Sequence, residues 1–142
     1  MTTTLKYADV EVGTKLPAVT VPIQRLSLIK YAGASGDFNV IHWNERCATS
    51  VGLPNVIAHG MFTMASAIRV VTDWVGDPGA VVEYGVRFTR PVPVPDDGVG
   101  ALLEISGEVT ELLDAHRVRV TLTAASAGQT VLGKAQAVVQ LA

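Results

Sequence analysis

Three side chains able to bind or pass a proton, Asp37, His42 and His59, fall in one stretch of the chain, Tyr31 to Met61, which reads YAGASGDFNVIHWNERCATSVGLPNVIAHGM. They sit among glycines and small polar residues and off any simple amphipathic repeat. Just beyond them comes an almost wholly apolar segment, Met61 to Val75. Acid and base groups on irregular backbone, beside a buried helix, are the usual makings of a site. Asp37 and His42 are a carboxylate and an imidazole on non-helical backbone. A carboxylate so placed can orient the ring, fix its tautomer and share the activation of a water. The same spacing also occurs in purely structural roles, so the pair alone settles nothing.

His59 and Gly60 add a third element. Gly60 would open a helix, and its N–H would be an unpaired donor at the positive end of the helix dipole. Such a donor suits an oxygen that gains negative charge, and glycine there lets a ligand come close to the backbone. Asn39 has two readings, a bond to its own turn backbone or a contact with substrate. His59 reads as a structural hydrogen-bonder more than as the base. Ser35 and Ser66 read as local polar groups, since no G-x-S-x-G elbow accompanies them. Arg69, Arg87, Arg90 and Lys134 read as solvated surface. A metal centre built from Asp37, His42 and His59, a two-His-one-carboxylate set, is the rival reading; no metal and no cofactor is expected.

The elements that must position these residues follow from periodicity. Val19 to Ile23 fits a short first strand. Leu26 to Ala34 fits a helix broken by Gly33, Ser35 and Gly36. Asn44 fits the N-cap of a helix from Glu45 to Val51, with Glu45 placed for the dipole, ended by Gly52 and Pro54. A long helix runs from Gly60 to about Val75, apolar nearly all round and so expected to be buried on most sides, with Arg69 and Asp73 as its wet edge. Gly76 to Gly79 form a turn. The period then changes from 3.6 to 2 in four stretches: Val82 to Phe88, Leu103 to Val109, Val118 to Leu122 and Val131 to Val139. These predict an antiparallel sheet. The expected class is α+β, with the sheet curled round the long helix.

Composition narrows the function. The 142 residues fit one domain, residues 1–142. Hydrophobic residues make up 49% and charged residues 17%, a balance that suits a compact globule with an apolar oligomer interface. The net charge is −2, with no basic stripe, so nucleic acid is not an expected partner. Cys47 is the only cysteine, so an internal disulfide and a cysteine-based zinc site are excluded; a small buried apolar residue is the expected role. The start, MTTTLKYADVEVG, lacks a secretory pattern. The apolar run is interrupted by Thr63, Ser66, Arg69 and Asp73, which does not suit a membrane span. A soluble, cytoplasmic chain is expected, with no repeat or linker.

The stretch SGDFNVIHWN followed by GLPNVIAHGM resembles the signature of the MaoC-like, (R)-specific enoyl hydratase family, G-D-x-N-P-x-H-x-D and then A-H-G-M. The later stretch TDWVGDPGAVVEYGVRFTRPVPVPDDG most resembles the catalytic B-type subunits of (3R)-hydroxyacyl-thioester dehydratases of the mycolic-acid pathway. The resemblance covers nearly the whole chain. It implies a hot-dog fold, an antiparallel sheet wrapped around a long central helix, and pairing of two such subunits, as a homodimer or as a heterodimer with a related hot-dog subunit. It implies a hydro-lyase on acyl-CoA or acyl-carrier-protein thioesters. It places the catalytic pair on Asp37 and His42, the oxyanion donor on Gly60, and the motif's Asn on Asn39. Two positions depart, Val40 for the motif's Pro and Asn44 for its second Asp, and neither belongs to the pair. A serine that some hydratases carry after the H-G-M aligns with Ile68. A hot-dog thioesterase and a silent subunit of a heterodimer are the remaining alternatives.

Overall fold

The computed structural model describes residues 5–142; the first four residues of the N-terminal stretch lie outside them. Among the described residues, three α-helices and six strands follow one another as β1 (Lys15–Ile23), α1 (Arg25–Ser35), α2 (Glu45–Ser50), α3 (Gly60–Val75), β2 (Val81–Phe88), β3 (Ala101–Leu113), β4 (Arg117–Ser126), β5 (Gln129–Thr130) and β6 (Leu132–Gln140). The main strands order as β1-β3-β4-β6-β2, all pairs antiparallel, with short β5 beside β4. α3 packs on β1, β2, β3 and β4. This is the sheet around a helix that the periodicity and the resemblance imply.

α3 spans the expected residues and ends where Gly76 takes a left-handed conformation, φ 73°. It is not buried on most sides within one chain. Thr63, Ser66, Ala67, Val70, Val71 and Val75 face the core, whereas Met61 and Ala65 are exposed and Met64 and Ile68 only half-buried. The second apolar face therefore has no cover among the described residues. Arg69 and Asp73 do mark a wet edge, 4.0 Å apart. Ser66 donates to the Phe62 carbonyl at 2.8 Å, the local role expected of it.

The strands differ from the expectation in three ways. β1 begins four residues earlier, at Lys15, and runs through Pro17 across a register shift between Leu16 and Val19. Proline is tolerated there because β1 is an edge strand with no partner on its outer side. β2 pairs with β6, not with its sequence neighbour β3. Alternation also breaks along β6, where Leu132 and Val138 are buried together with Ala135, Ala137 and Val139. Lys134 carries a φ of 48°, and β6 shifts register against β2 between Gly85 and Arg87, so Leu132 falls on the buried side with Ala135 while Lys134 and Gln136 stay exposed.

One continuous core joins α3 to the inner face of the sheet, through Val70, Val71, Leu103, Ile105, Val118 and Val139 among others. Leu103 is fully buried. Leu103→Ala should destabilise the fold by about 2–5 kcal/mol, read as a lower denaturant midpoint at unchanged slope. A loss of a few tenths would show that β3 does not pack as described. Among the described residues, no helix is long and apolar enough to cross a membrane.

Candidate active site

α1 continues through Gly33 to Ser35 and stops at Gly36, whose φ of 76° is open to glycine at no steric cost. The chain leaves the helix there and enters the loop that carries Asp37. Ser35 ties the exit: its hydroxyl donates to the Tyr31 carbonyl and accepts the Asp37 N–H at 3.2 Å. Asp37 is exposed, and its Oδ1 accepts the Asn39 N–H at 3.1 Å. Asn39 Oδ1 in turn accepts the Ile41 N–H at 3.3 Å and caps a single 3-10 turn, Val40–His42. This is the turn-bonding reading of Asn39. Asn44 then caps α2 by accepting the Cys47 N–H at 3.1 Å.

His42 ends the 3-10 turn and is 7% exposed. Its Nδ1 lies 2.7 Å from the Ile57 carbonyl oxygen. A carbonyl only accepts, so Nδ1 carries the hydrogen, and in the neutral ring Nε2 keeps a lone pair. The ring stacks on that of His59, centroids 3.8 Å apart at 22°. His59 is buried, and its Nε2–H donates to the Asp37 carbonyl at 3.1 Å. By the same logic His59 Nδ1 is unprotonated, and it is buried with no hydrogen-bond partner. Tyr31 packs against the far side of this pair, 4.8 Å from His59 and 5.4 Å from Phe62. One donor atom each from Asp37, His42 and His59 lies within 4.8 Å of the other two. The fold thus brings the three sequence candidates together.

Gly60 is the first residue of α3, and the preceding His59 provides no side-chain cap. The first-turn N–H groups of α3 are therefore left to solvent or a ligand. Gly60 and His42 line one cleft of about 310 Å³ with Thr63, Phe88, Pro91 and Leu132 among its other walls. Asp37, Asn39 and His59 are not walls of this cleft; Asp37 and Asn39 lie on the exposed loop and His59 under the His42 ring. Sequence reasoning missed two participants. The Ile57 carbonyl that orients His42 is backbone and has no residue signature. Phe88 reads as a core position of β2, yet it is 52% exposed and its ring covers Gly60.

Burial, the largest influence, holds His59 below the usual histidine value; the bond to the Asp37 carbonyl pulls the other way. Below about pH 6.5 the unfolded chain takes up a proton at this residue that the folded chain refuses. Stability is therefore complete above that value and falls as pH drops through the window beneath it. Chemical denaturation of wild type and His59→Gln between pH 7.5 and 4.5 should show a smaller loss in the variant. Parallel curves would mean that His59 is not the buried neutral ring described.

A sheet wrapped on a helix, with an imidazole facing the helix N-terminus across a cleft, defines a hot-dog protein with the parts for acid–base chemistry. The sequence profile of the MaoC like domain matches residues 8–127, and the chain belongs to that family. It is similar to 3-hydroxyacyl-thioester dehydratase X of Mycobacterium tuberculosis, 40% identical over 79 residues, which is 56% of this chain and 27% of that protein. Among solved structures it is similar to a MaoC-like dehydratase, with a TM-score of 0.94 and 38% identity over 99% of this chain and 44% of the other. The unliganded R-hydratase PhaJ1 from Pseudomonas aeruginosa gives a TM-score of 0.79 and 31% identity, covering 99% of this chain and 87% of that one. The chain thus spans about a quarter of the dehydratase X and less than half of the MaoC-like dehydratase.

Proposed function

We propose that this chain is a hydro-lyase that interconverts (3R)-hydroxyacyl thioesters and trans-2-enoyl thioesters plus water. One observation carries the reading: His42, held by Ile57 as the tautomer with a free Nε2, shares a cleft with the unpaired N-terminus of α3 at Gly60. In hydration, Asp37 and His42 take the proton of a water as its oxygen bonds to C3. The π electrons move toward the thioester oxygen, and the pair then gives a proton to C2, which returns it to its starting state. Dehydration runs these steps backwards. The Gly60 N–H holds the thioester oxygen while it carries enolate charge. His59 and Asn39 act on the loop, His59 through the Asp37 carbonyl and Asn39 through the turn before His42. Water is the only second reactant, so no cofactor is required.

The acyl group arrives as a thioester of CoA or of an acyl carrier protein. We read residues 1–142 as one such domain, on its continuous core, and place it in the cytoplasm, where the unpaired Cys47 would stay reduced. The open edge of β2, its exposed Val82 and Phe88, and the uncovered Met61 on α3 support a dimer, with a second copy or with a related hot-dog subunit.

The metal reading has the three-residue cluster in its favour. With His42 Nδ1 and His59 Nε2 committed to carbonyls, His42 Nε2 and His59 Nδ1 are the nitrogens that a metal would take. One assay separates the alternatives. Purified chain, chelator-treated and sized by light scattering, is given crotonyl-CoA while loss of the conjugated double bond and release of free thiol are followed. The expected result is hydration without thiol release, undiminished by the chelator, from a dimer. Thiol release without hydration would make it a thioesterase. No turnover until a second subunit is added would make it a dependent subunit, and loss of activity on chelation would favour the metal.

A further inference from the structure

Glu45 opens α2 three residues after His42, and its carboxylate ties together three separate segments. Oε1 accepts from Asn55 Nδ2 at 3.0 Å, and Oε2 pairs with the Arg25 guanidinium. Arg25 Nε donates to the Val94 carbonyl, and the Val94 N–H donates to the Val56 carbonyl at 2.9 Å. The bonds form a chain, Glu45 to Arg25 to Val94 to Val56, and Asn55, the neighbour of Val56, returns to Glu45. Val56 and Val94 are fully buried, so this chain of bonds runs from the partly exposed ion pair into the core.

The next residue along is Ile57. Its N–H donates to the Ile41 carbonyl at 3.1 Å, and its carbonyl accepts from His42 Nδ1 at 2.7 Å. Ala58 follows, bound to the Val92 carbonyl at 2.9 Å. The acceptor that decides which His42 nitrogen is free is thus held on one side by the 92–94 segment and on the other by Glu45. We propose that Glu45, through Arg25, Asn55 and Val56, is a positioning residue that fixes the Ile57 carbonyl and so the tautomer and aim of His42.

This rests on the reading of His42 as the proton-handling ring. Glu45 itself is not a wall of the cleft and touches no reacting atom. The Asn55 amide first, and then Arg25, hold its carboxyl below the usual range, so Glu45 stays charged near neutral pH. The pair is partly exposed, at 25% for Arg25 and 43% for Glu45. Ion pairs so placed add little stability. Loss of Glu45 is therefore expected in the ring more than in the melting temperature.

The test uses the full chain as Glu45→Ala, Glu45→Gln and Asn55→Ala. Each is assayed for kcat and KM on crotonyl-CoA, and the His42 tautomer is read by 15N NMR of the imidazole. Glu45→Ala should lower kcat roughly 10–100-fold with KM little changed. It should also move His42 from a single Nδ1–H tautomer to a mixture. Glu45→Gln should recover part of both, because its amide oxygen still accepts from Asn55 while the Arg25 charge pair is lost. Asn55→Ala, which keeps the Arg25 pair, should show the same pattern more weakly, and it decides the matter if Glu45→Ala does not fold. A folded variant with unchanged kcat and an unchanged His42 tautomer would overturn the proposal, as would a lower melting temperature with the tautomer intact. If wild type hydrates nothing, the functional reading fails, while the NMR result still decides whether Glu45 sets the ring.

Discussion

His42→Ala should lower turnover of an enoyl thioester by about 10²–10⁴-fold and leave the chain folded. That is the range general acid–base groups contribute. The geometry says why this ring carries it. The Ile57 carbonyl fixes the proton on Nδ1, and the stacked His59 is buried beneath and does not line the cleft, which leaves His42 as the ring with an unprotonated nitrogen at the cleft. Truncation opens a hole beside His59, so the variant should be checked by circular dichroism and melting before its rate is read. Asp37→Asn is the gentler partner experiment. An asparagine oxygen can still accept the Asn39 N–H that Asp37 Oδ1 accepts, so the turn survives and only the charge is lost. A large loss in both places both groups at the reaction. A folded His42→Ala enzyme with most of the wild-type rate would remove the base from the account.

Substitution at Gly60 should be nearly as damaging, for reasons that separate into two. A Cβ there would lie 3.1 Å from Phe88 Cε1, 3.2 Å from Cδ1 and 3.4 Å from Cζ. Phe88 is half exposed at the end of β2, so its ring can swing aside, and the fold should tolerate Gly60→Ala. The ring and the new methyl group then crowd the donor. Gly60→Pro also removes the N–H, yet it suits the helix: proline is favoured at the first helical position. His59 already has the extended backbone, φ −58° and ψ 135°, that a following proline demands. Phe88→Ala makes the comparison clean by giving the Cβ room. On that background Gly60→Ala should recover much of its activity and Gly60→Pro should not. The gap between them should approach about 10²–10³-fold, the usual loss for one oxyanion donor. Equal rates for the two double variants would show that the Gly60 N–H does not act on substrate.

Much of this architecture is legible in the sequence, and the gaps have physical causes. α3 and the Asn44 cap follow from local rules: an apolar run bounded by glycines, and an asparagine before a glutamate. Strand pairing does not, because β2 joins β6 across three intervening strands and periodicity records faces, not neighbours. The early start of β1 was hidden by Pro17, which only an edge strand tolerates. The apolar face of α3 reads as buried whether the cover is this chain or another, which is why Met61 and Ala65 are exposed here against expectation. At the site, spacing and the family signature pick out Asp37, His42, Asn39, His59 and Gly60. They cannot show that His42 is oriented by a backbone carbonyl. Nor can they show that Glu45, which reads as a dipole-matching residue, binds Arg25 and Asn55 at once.

The most direct measurement is the structure of this chain with a non-reactive 3-hydroxyacyl thioester bound. The thioester oxygen should lie within hydrogen-bond distance of the Gly60 nitrogen, and the C3 hydroxyl should face Asp37 and His42 Nε2, with His42 Nδ1 still on the Ile57 carbonyl. A thioester oxygen held by another donor, with Gly60 remote and the C3 hydroxyl turned away from His42, would contradict the account.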